Sequence, residues 1–182
     1  MSMAQGQLFG PAQALPEGFV LVTHFINAAE ERTLLQAIGE LPLEAARYRE
    51  YTARRRIALF EHRLPAFLEP LRGRIAAWMG VPAEALQHAL INEYRPGTPL
   101  GWHRDAPDYE RIAGVSLGGW ARMRLRPYPA KKQPVLNVDL APRSAYRMEG
   151  TARWAWQHSI SATRELRYSV TFRTFRASGH AR

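Results

Sequence analysis

Residues 165–175 read ELRYSVTFRTF, and their alternation decides what fold the chain can make. Successive side chains of a strand point to opposite faces. Leu166, Tyr168, Val170 and Phe172 therefore share one face, and Arg167, Ser169, Thr171 and Arg173 the other. The first face predicts a packed core. The second carries two arginines among small residues, and a guanidinium turned into an interior is costly unless an anion compensates it. Between the two arginines no Asp or Glu stands on that face. The two arginines lie six residues apart, roughly 20 Å along an extended backbone. Side chains bending toward each other leave a gap on the order of 8 Å, which suits a five-carbon dicarboxylate.

Upstream, residues 91–107 read INEYRPGTPLGWHRDAP. Taken as extended, this stretch sets His103 and Asp105 on alternate positions, so an imidazole and a carboxylate converge on one ion. A third ligand completes a facial triad of two histidines and one carboxylate, the arrangement that holds iron(II) and keeps positions open. His158, in another expected strand, is the candidate.

The rest of the chain supplies the frame. Residues 19–25 predict a buried strand rich in β-branched and aromatic residues. Asn27 with Glu30 has capping-box spacing ahead of a helix bearing Leu34, Leu35, Ile38 and Leu41, which Pro42 ends. A second helix is expected within 64–79, stopped by Gly80, and a helical turn over 82–86. Strands are then expected over 88–94, 112–117, 121–127, 135–140, 144–148 and 154–160, before the arginine strand. Helices followed by short strands predict an α+β chain: a double-stranded β-helix, or jelly-roll, core with the N-terminal helices packed on one sheet. The expected organisation is a flexible tail over 1–15 and a single domain over 16–182.

Composition narrows the chemistry. There are 25 Lys and Arg against 16 Asp and Glu, a formal charge of +9, and no cysteine. The absent thiols exclude disulfides, a thiolate nucleophile and cysteine zinc sites. The positive surplus favours a polyanionic partner. No stretch approaches the length of a membrane span, so a soluble, cytoplasmic monomer is expected. The run RYREYTARRRIALF, 47–60, sets Tyr48 and Tyr51 among Arg54, Arg55 and Arg56. It reads either as a nucleic-acid contact, with rings on bases and guanidinium forks on phosphates, or as a solvated hairpin. The row Arg122, Arg124 and Arg126 likewise either tracks phosphates or coats a barrel. In the tail, Gln5, Leu8 and Phe9 match the short motif by which bacterial proteins dock on the replication sliding clamp.

Four segments, NEYRPGTPLGWHRDAP, IAGVSLG, RWAWQHSI and RYSVTFR, resemble in order and spacing the signature of the AlkB family of iron(II)- and 2-oxoglutarate-dependent dioxygenases. The resemblance implies that His103, Asp105 and His158 bind Fe(II). It implies that Asn92, Tyr94, Arg167 and Arg173 hold the co-substrate 2-oxoglutarate, with Leu100, Ser116 and Ser169 lining its pocket. Arg167 would pair with the distal carboxylate and Arg173 with the metal-chelating end. The implied reaction consumes O2 and 2-oxoglutarate and removes N-alkyl groups from bases of DNA or RNA as aldehyde. Residues 42–62 would form a nucleotide-recognition lid, and Trp102 would either stack on the base or close the core. Two departures stand out: Pro107 occupies a position where well-known members carry a base-contacting acid, and Ser169 one where some carry an amide. The alternatives are the same oxygenase chemistry on a protein or small molecule, and a non-catalytic nucleic-acid-binding barrel.

Overall fold

The computed structural model describes residues 14–47, 52–130 and 134–177. In chain order these form β1 (Phe19–Val22), α1 (Ala28–Gly39), β2 (Glu44–Arg47), β3 (Thr52–Glu61), α2 (Glu69–Met79), β4 (His88–Tyr94), β5 (Leu100–His103), β6 (Tyr109–Gly118), β7 (Ala121–Pro127), β8 (Leu136–Leu140), β9 (Ala145–Met148), α3 (Gly150–Trp154), β10 (Trp156–Ile160) and β11 (Arg167–Phe175). A major sheet runs β1-β9-β6-β11-β4-β3-β2 and a minor sheet β5-β10-β7-β8. Facing each other, the two make the jelly roll expected from helices followed by a series of short strands.

Local chemistry sets the helix ends. The Asn27 side chain accepts from the amides of Ala29 and Glu30, both at 2.9 Å, while the Glu30 carboxylate accepts from the Asn27 amide at 2.8 Å. This is the reciprocal capping box its sequence announces. At the end of α2, Gly80 takes φ 65°, and the amides of Gly80 and Val81 return to the carbonyls of Ala77 and Ala76, a Schellman closure that glycine permits without strain. Both helices pack on one face of the major sheet: Leu34, Ile38, Leu71 and Ile75 meet Ile91, Val115, Val170 and Phe172 in one apolar cluster. A second cluster, including Ile112, Met123, Leu125, Leu140 and Ile160, lies between the sheets.

Three expectations need correction. Residues 91–107 are not one extended segment. Gly97, at φ 81°, turns the chain after β4, and β5 joins the other sheet. Asp105 thus lies beyond the end of β5 in irregular backbone, not at an alternate position of His103's strand. The strand expected over 154–160 starts at Trp156, because α3 comes first. Its Arg153 is drawn inward to three backbone carbonyls. The first strand ends at Val22, two residues before His24 takes φ 54°. Among the described residues no helix is long and apolar enough to cross a membrane.

Candidate metal and co-substrate site

Sheet register builds the site. Across the inner face of the major sheet, Asn92 of β4 faces Ser169 of β11, which faces Ser116 of β6. Tyr94, Arg167 and Gly118 form the next row, and His88, Arg173 and Ile112 a row near the other end of β11. In the minor sheet His103 of β5 sits directly opposite His158 of β10. The expected residues of the triad and co-substrate pocket therefore share one cavity. Asn92, Tyr94, Leu100, His103, Asp105, His158, Arg167, Ser169 and Arg173 line it, with Arg55 and Tyr146, and Ser116 joins it through Arg167.

One ligand atom each from His103, Asp105 and His158 lies within 4.8 Å of the others. Asp105 Oδ1 is 3.6 Å from His158 Nε2 and 4.0 Å from His103 Nε2. The opposite nitrogen of His103, Nδ1, is 2.8 Å from the Gly101 carbonyl oxygen. A carbonyl only accepts, so Nδ1 carries the proton and the Nε2 lone pair faces the cluster. Charge states suit cation binding as well. Burial pushes His158 down to about 3, with His103 adding to the effect, and burial also lowers His103 against the opposing pull of the Gly101 carbonyl. Burial would raise the Asp105 carboxyl, but Arg173, His158 and His103 together hold it far below the usual carboxylate range. Two neutral imidazoles and an anion result, the protonation that metal ligation requires.

Around this cluster stand groups that sequence reading missed. Arg173 Nε donates to Asp105 Oδ2 at 2.6 Å, so a carboxylate from a loop partners an arginine whose own strand face has none. Arg173 Nη1 lies 3.4 Å from His88 Nδ1, and the His88 ring packs on Tyr109 with centroids 4.7 Å apart. Arg153, 3% exposed, donates to the carbonyls of Tyr109, Asp105 and Ala106 at 3.1, 3.2 and 2.6 Å. It anchors the loop that delivers the carboxylate. Tyr146 lies across Gly114, where a Cβ would come within 2.6 Å of its ring.

The co-substrate end fits an anion. Arg167 is 1% exposed; its Nε donates to Ser116 Oγ at 3.0 Å and its guanidinium stacks on Tyr94, 4.9 Å from the centroid. Its Nη1 is buried with no hydrogen-bond partner among the described residues. Leaving a buried guanidinium N–H unsatisfied costs more than leaving a neutral donor so, and a carboxylate in the cavity would satisfy it bidentately. The Asn92 amide spans the floor, donating to Ser169 Oγ at 3.4 Å and accepting from Arg55 Nη1 at 2.9 Å.

The arginine run of the expected lid divides. Arg54 is exposed, Arg55 points into the cavity, and Arg56 is turned to the opposite face, where it binds buried Glu93 through two bonds of 2.7 and 2.6 Å. Arg56 is thus committed to the protein and is not a free phosphate contact. Tyr48 and Tyr51, like Gln5, Leu8 and Phe9, lie outside the described residues. Trp102 corrects both readings offered for it. It alternates with His103 on β5 and lies on the outer face of the minor sheet, beneath the guanidinium groups of Arg124 and Arg126 at 4.9 and 4.2 Å.

A jelly roll that gathers two imidazoles and a carboxylate beside a buried, incompletely satisfied arginine defines the class of metal-dependent oxygenase with an anionic co-substrate. The family profile described as the 2OG-Fe(II) oxygenase superfamily matches residues 18–173, and the chain belongs to that superfamily. Its members use Fe(II), 2-oxoglutarate and O2. An uncharacterized protein of Acanthamoeba polyphaga mimivirus is 29% identical over 182 residues, covering 86% of this chain and 84% of its own. The alkylated DNA repair protein ALKBH8 homolog of Arabidopsis thaliana is 27% identical, covering 79% of this chain; the match spans 50% of that relative. Among solved structures, a Pseudomonas putida prolyl-4-hydroxylase superposes with TM-score 0.66 at 16% identity, covering 88% of this chain and 94% of its own. OsALKBH1 gives TM-score 0.64 at 16% identity, covering 89% and 100%.

Proposed function

We propose that this chain is an AlkB-type oxidative dealkylase of alkylated DNA or RNA, in which His103, Asp105 and His158 hold the iron. The observation that carries the substrate class is its relation to an alkylated DNA repair protein homolog, in a chain of net charge +9 and with the ordered AlkB-like segments. When bound, iron with O2 and 2-oxoglutarate supplies oxidation of the N-alkyl carbon, which leaves as aldehyde while 2-oxoglutarate becomes succinate and carbon dioxide. The protein's part is geometry and a shielded cavity.

Arg167, held by Ser116 and Tyr94, orients the distal carboxylate through its unsatisfied Nη1. Arg173 fixes Asp105 through Oδ2, leaving Oδ1 facing the two imidazoles, so its role is to position the metal carboxylate. Asn92 and Ser169 hold the co-substrate between them, and Arg55 closes the cavity wall beside Asn92. Arg54, on the exposed side of the β2–β3 hairpin, serves incoming phosphates.

The test is aerobic incubation with iron(II), ascorbate, 2-oxoglutarate and a panel of methylated oligonucleotides. Succinate and restored base are expected together. Succinate released only with peptide substrates would shift the assignment to a protein hydroxylase. Asp105→Ala should abolish turnover, at least 10³-fold, while oligonucleotide binding persists; surviving turnover would refute the metal assignment.

A further inference from the structure

We propose that the outer face of the minor sheet is a track for single-stranded nucleic acid, distinct from the metal site on its inner face. This inference rests on the nucleic-acid reading above. On β7, Met123 and Leu125 are buried between the sheets, so Arg122, Arg124 and Arg126 look outward. Aromatic rings flank the row. Trp120, 59% exposed, shares a surface groove of ≈ 520 Å³ with Arg122 at one end. Tyr128, 45% exposed, lies under the guanidinium of Arg104 at 3.8 Å at the other. Between them, Arg124 and Arg126 reach across β10 to lie over Trp102.

The charge of this face is not internally balanced. Arg122 pairs with Asp139 at 2.8 Å, but Arg124 and Arg126 donate to the neutral Ser159 Oγ and Gln157 Oε1 at 3.1 and 3.0 Å. Among the described residues neither meets a carboxylate. Arginines of alternate strand positions stand ~7 Å apart, and each keeps donors that match a phosphate. Exposed rings beside them offer surfaces on which unpaired bases stack. A duplex hides its base faces, so the combination of rings and guanidinium groups selects a single strand. From residue 120 to 128 the row spans about 26 Å, room for at least about four nucleotides.

The experiment measures fluorescence anisotropy of the full chain with a labelled oligo-dT strand and with a duplex of equal length, across a salt series. The single strand should bind more tightly. Arg124→Gln with Arg126→Gln should weaken it at least tenfold and lower the slope of log K against log salt by about 1.4, two phosphates at ~0.7 each. Trp120→Ala should weaken binding severalfold with little change of slope, since stacking carries no counterion release. Oxidation of 2-oxoglutarate without nucleic acid should be unchanged in both variants. If the double variant melts early, Arg126→Gln alone decides, with half the slope change. Tighter binding of duplex, or equal affinity and slope in wild type and variants, overturns the track alone. Failure of the wild-type chain to bind any oligonucleotide overturns the nucleic-acid reading with it.

Discussion

At Arg173 one hydrogen bond fixes the Asp105 carboxylate beside the two imidazoles, and the group behind it, His88, was invisible in the sequence. A histidine at the start of an apolar strand carries no signal of its function. Only sheet register brings His88 opposite Arg173, and only the loop after β5 brings Asp105 to that arginine. The triad was more legible, because His, Asp and His are residue types with few structural uses in such company. Arg153 and Tyr146 were not, since the partners that define them are backbone carbonyls and a glycine. The state of His88 has a measurable consequence. Burial, with Arg173 beside it, lowers its pKa to about 4, whereas an unfolded histidine titrates near ~6.5. The unfolded chain therefore takes up the proton first. Stability is intact above pH ~6.5 and falls as pH drops toward 4, with about 2 kcal/mol lost to this group at pH 5. Denaturant unfolding of the metal-free protein at pH 7 and pH 5 checks this: His88→Gln should remove about that much of the difference, and an unaltered pH dependence would contradict it.

At the scale of elements, clean alternation was readable and chain reversals were not. Residues 88–94 and 121–127 follow the observed strands to the residue; in 121–127 apolar and polar positions alternate, whereas 88–94 is a nearly continuous buried run. Residues 91–107 misled, because three prolines, two glycines and polar side chains fit extended backbone as well as the turn that moves the chain from one sheet to the other. The short helix α3 has no apolar periodicity, and from it Arg153 reaches the carbonyls of the loop behind Asp105. The neighbouring strands β6 and β9 are fitted as a pair, with Gly114 directly opposite Tyr146. Gly114→Ala would drive a methyl into the tyrosine ring and should cost about 1–3 kcal/mol. Combining it with Tyr146→Val should show a favourable coupling above ~1 kcal/mol in a double-mutant cycle. Simple additivity would mean that the ring yields freely.

For the molecule as a whole, the fold class was legible because helices and strands are segregated along the chain, whereas the assignment of strands to two sheets depends on pairings far apart in sequence. The excess of positive charge was likewise plain, but not its distribution: Arg56 and Arg122 are matched by Glu93 and Asp139, while Arg124 and Arg126 face outward without such matches. The candidate ligands also unite separate layers. His103 and His158 belong to the minor sheet, and Asp105 is held from the major sheet by Arg173. A divalent cation bound there should raise global stability by about 2.7 kcal/mol at a hundred times its dissociation constant, a gain that Asp105→Ala should erase in thermal melts with manganese(II). β5 is a four-residue edge strand joined to the sheet through β10 alone, with a register shift between His158 and Ile160. Such an edge opens at little free-energy cost. Its backbone amides should therefore exchange with deuterium early in the apoprotein and slow when manganese(II) is added, making the metal a rivet that fastens one loose margin of the barrel.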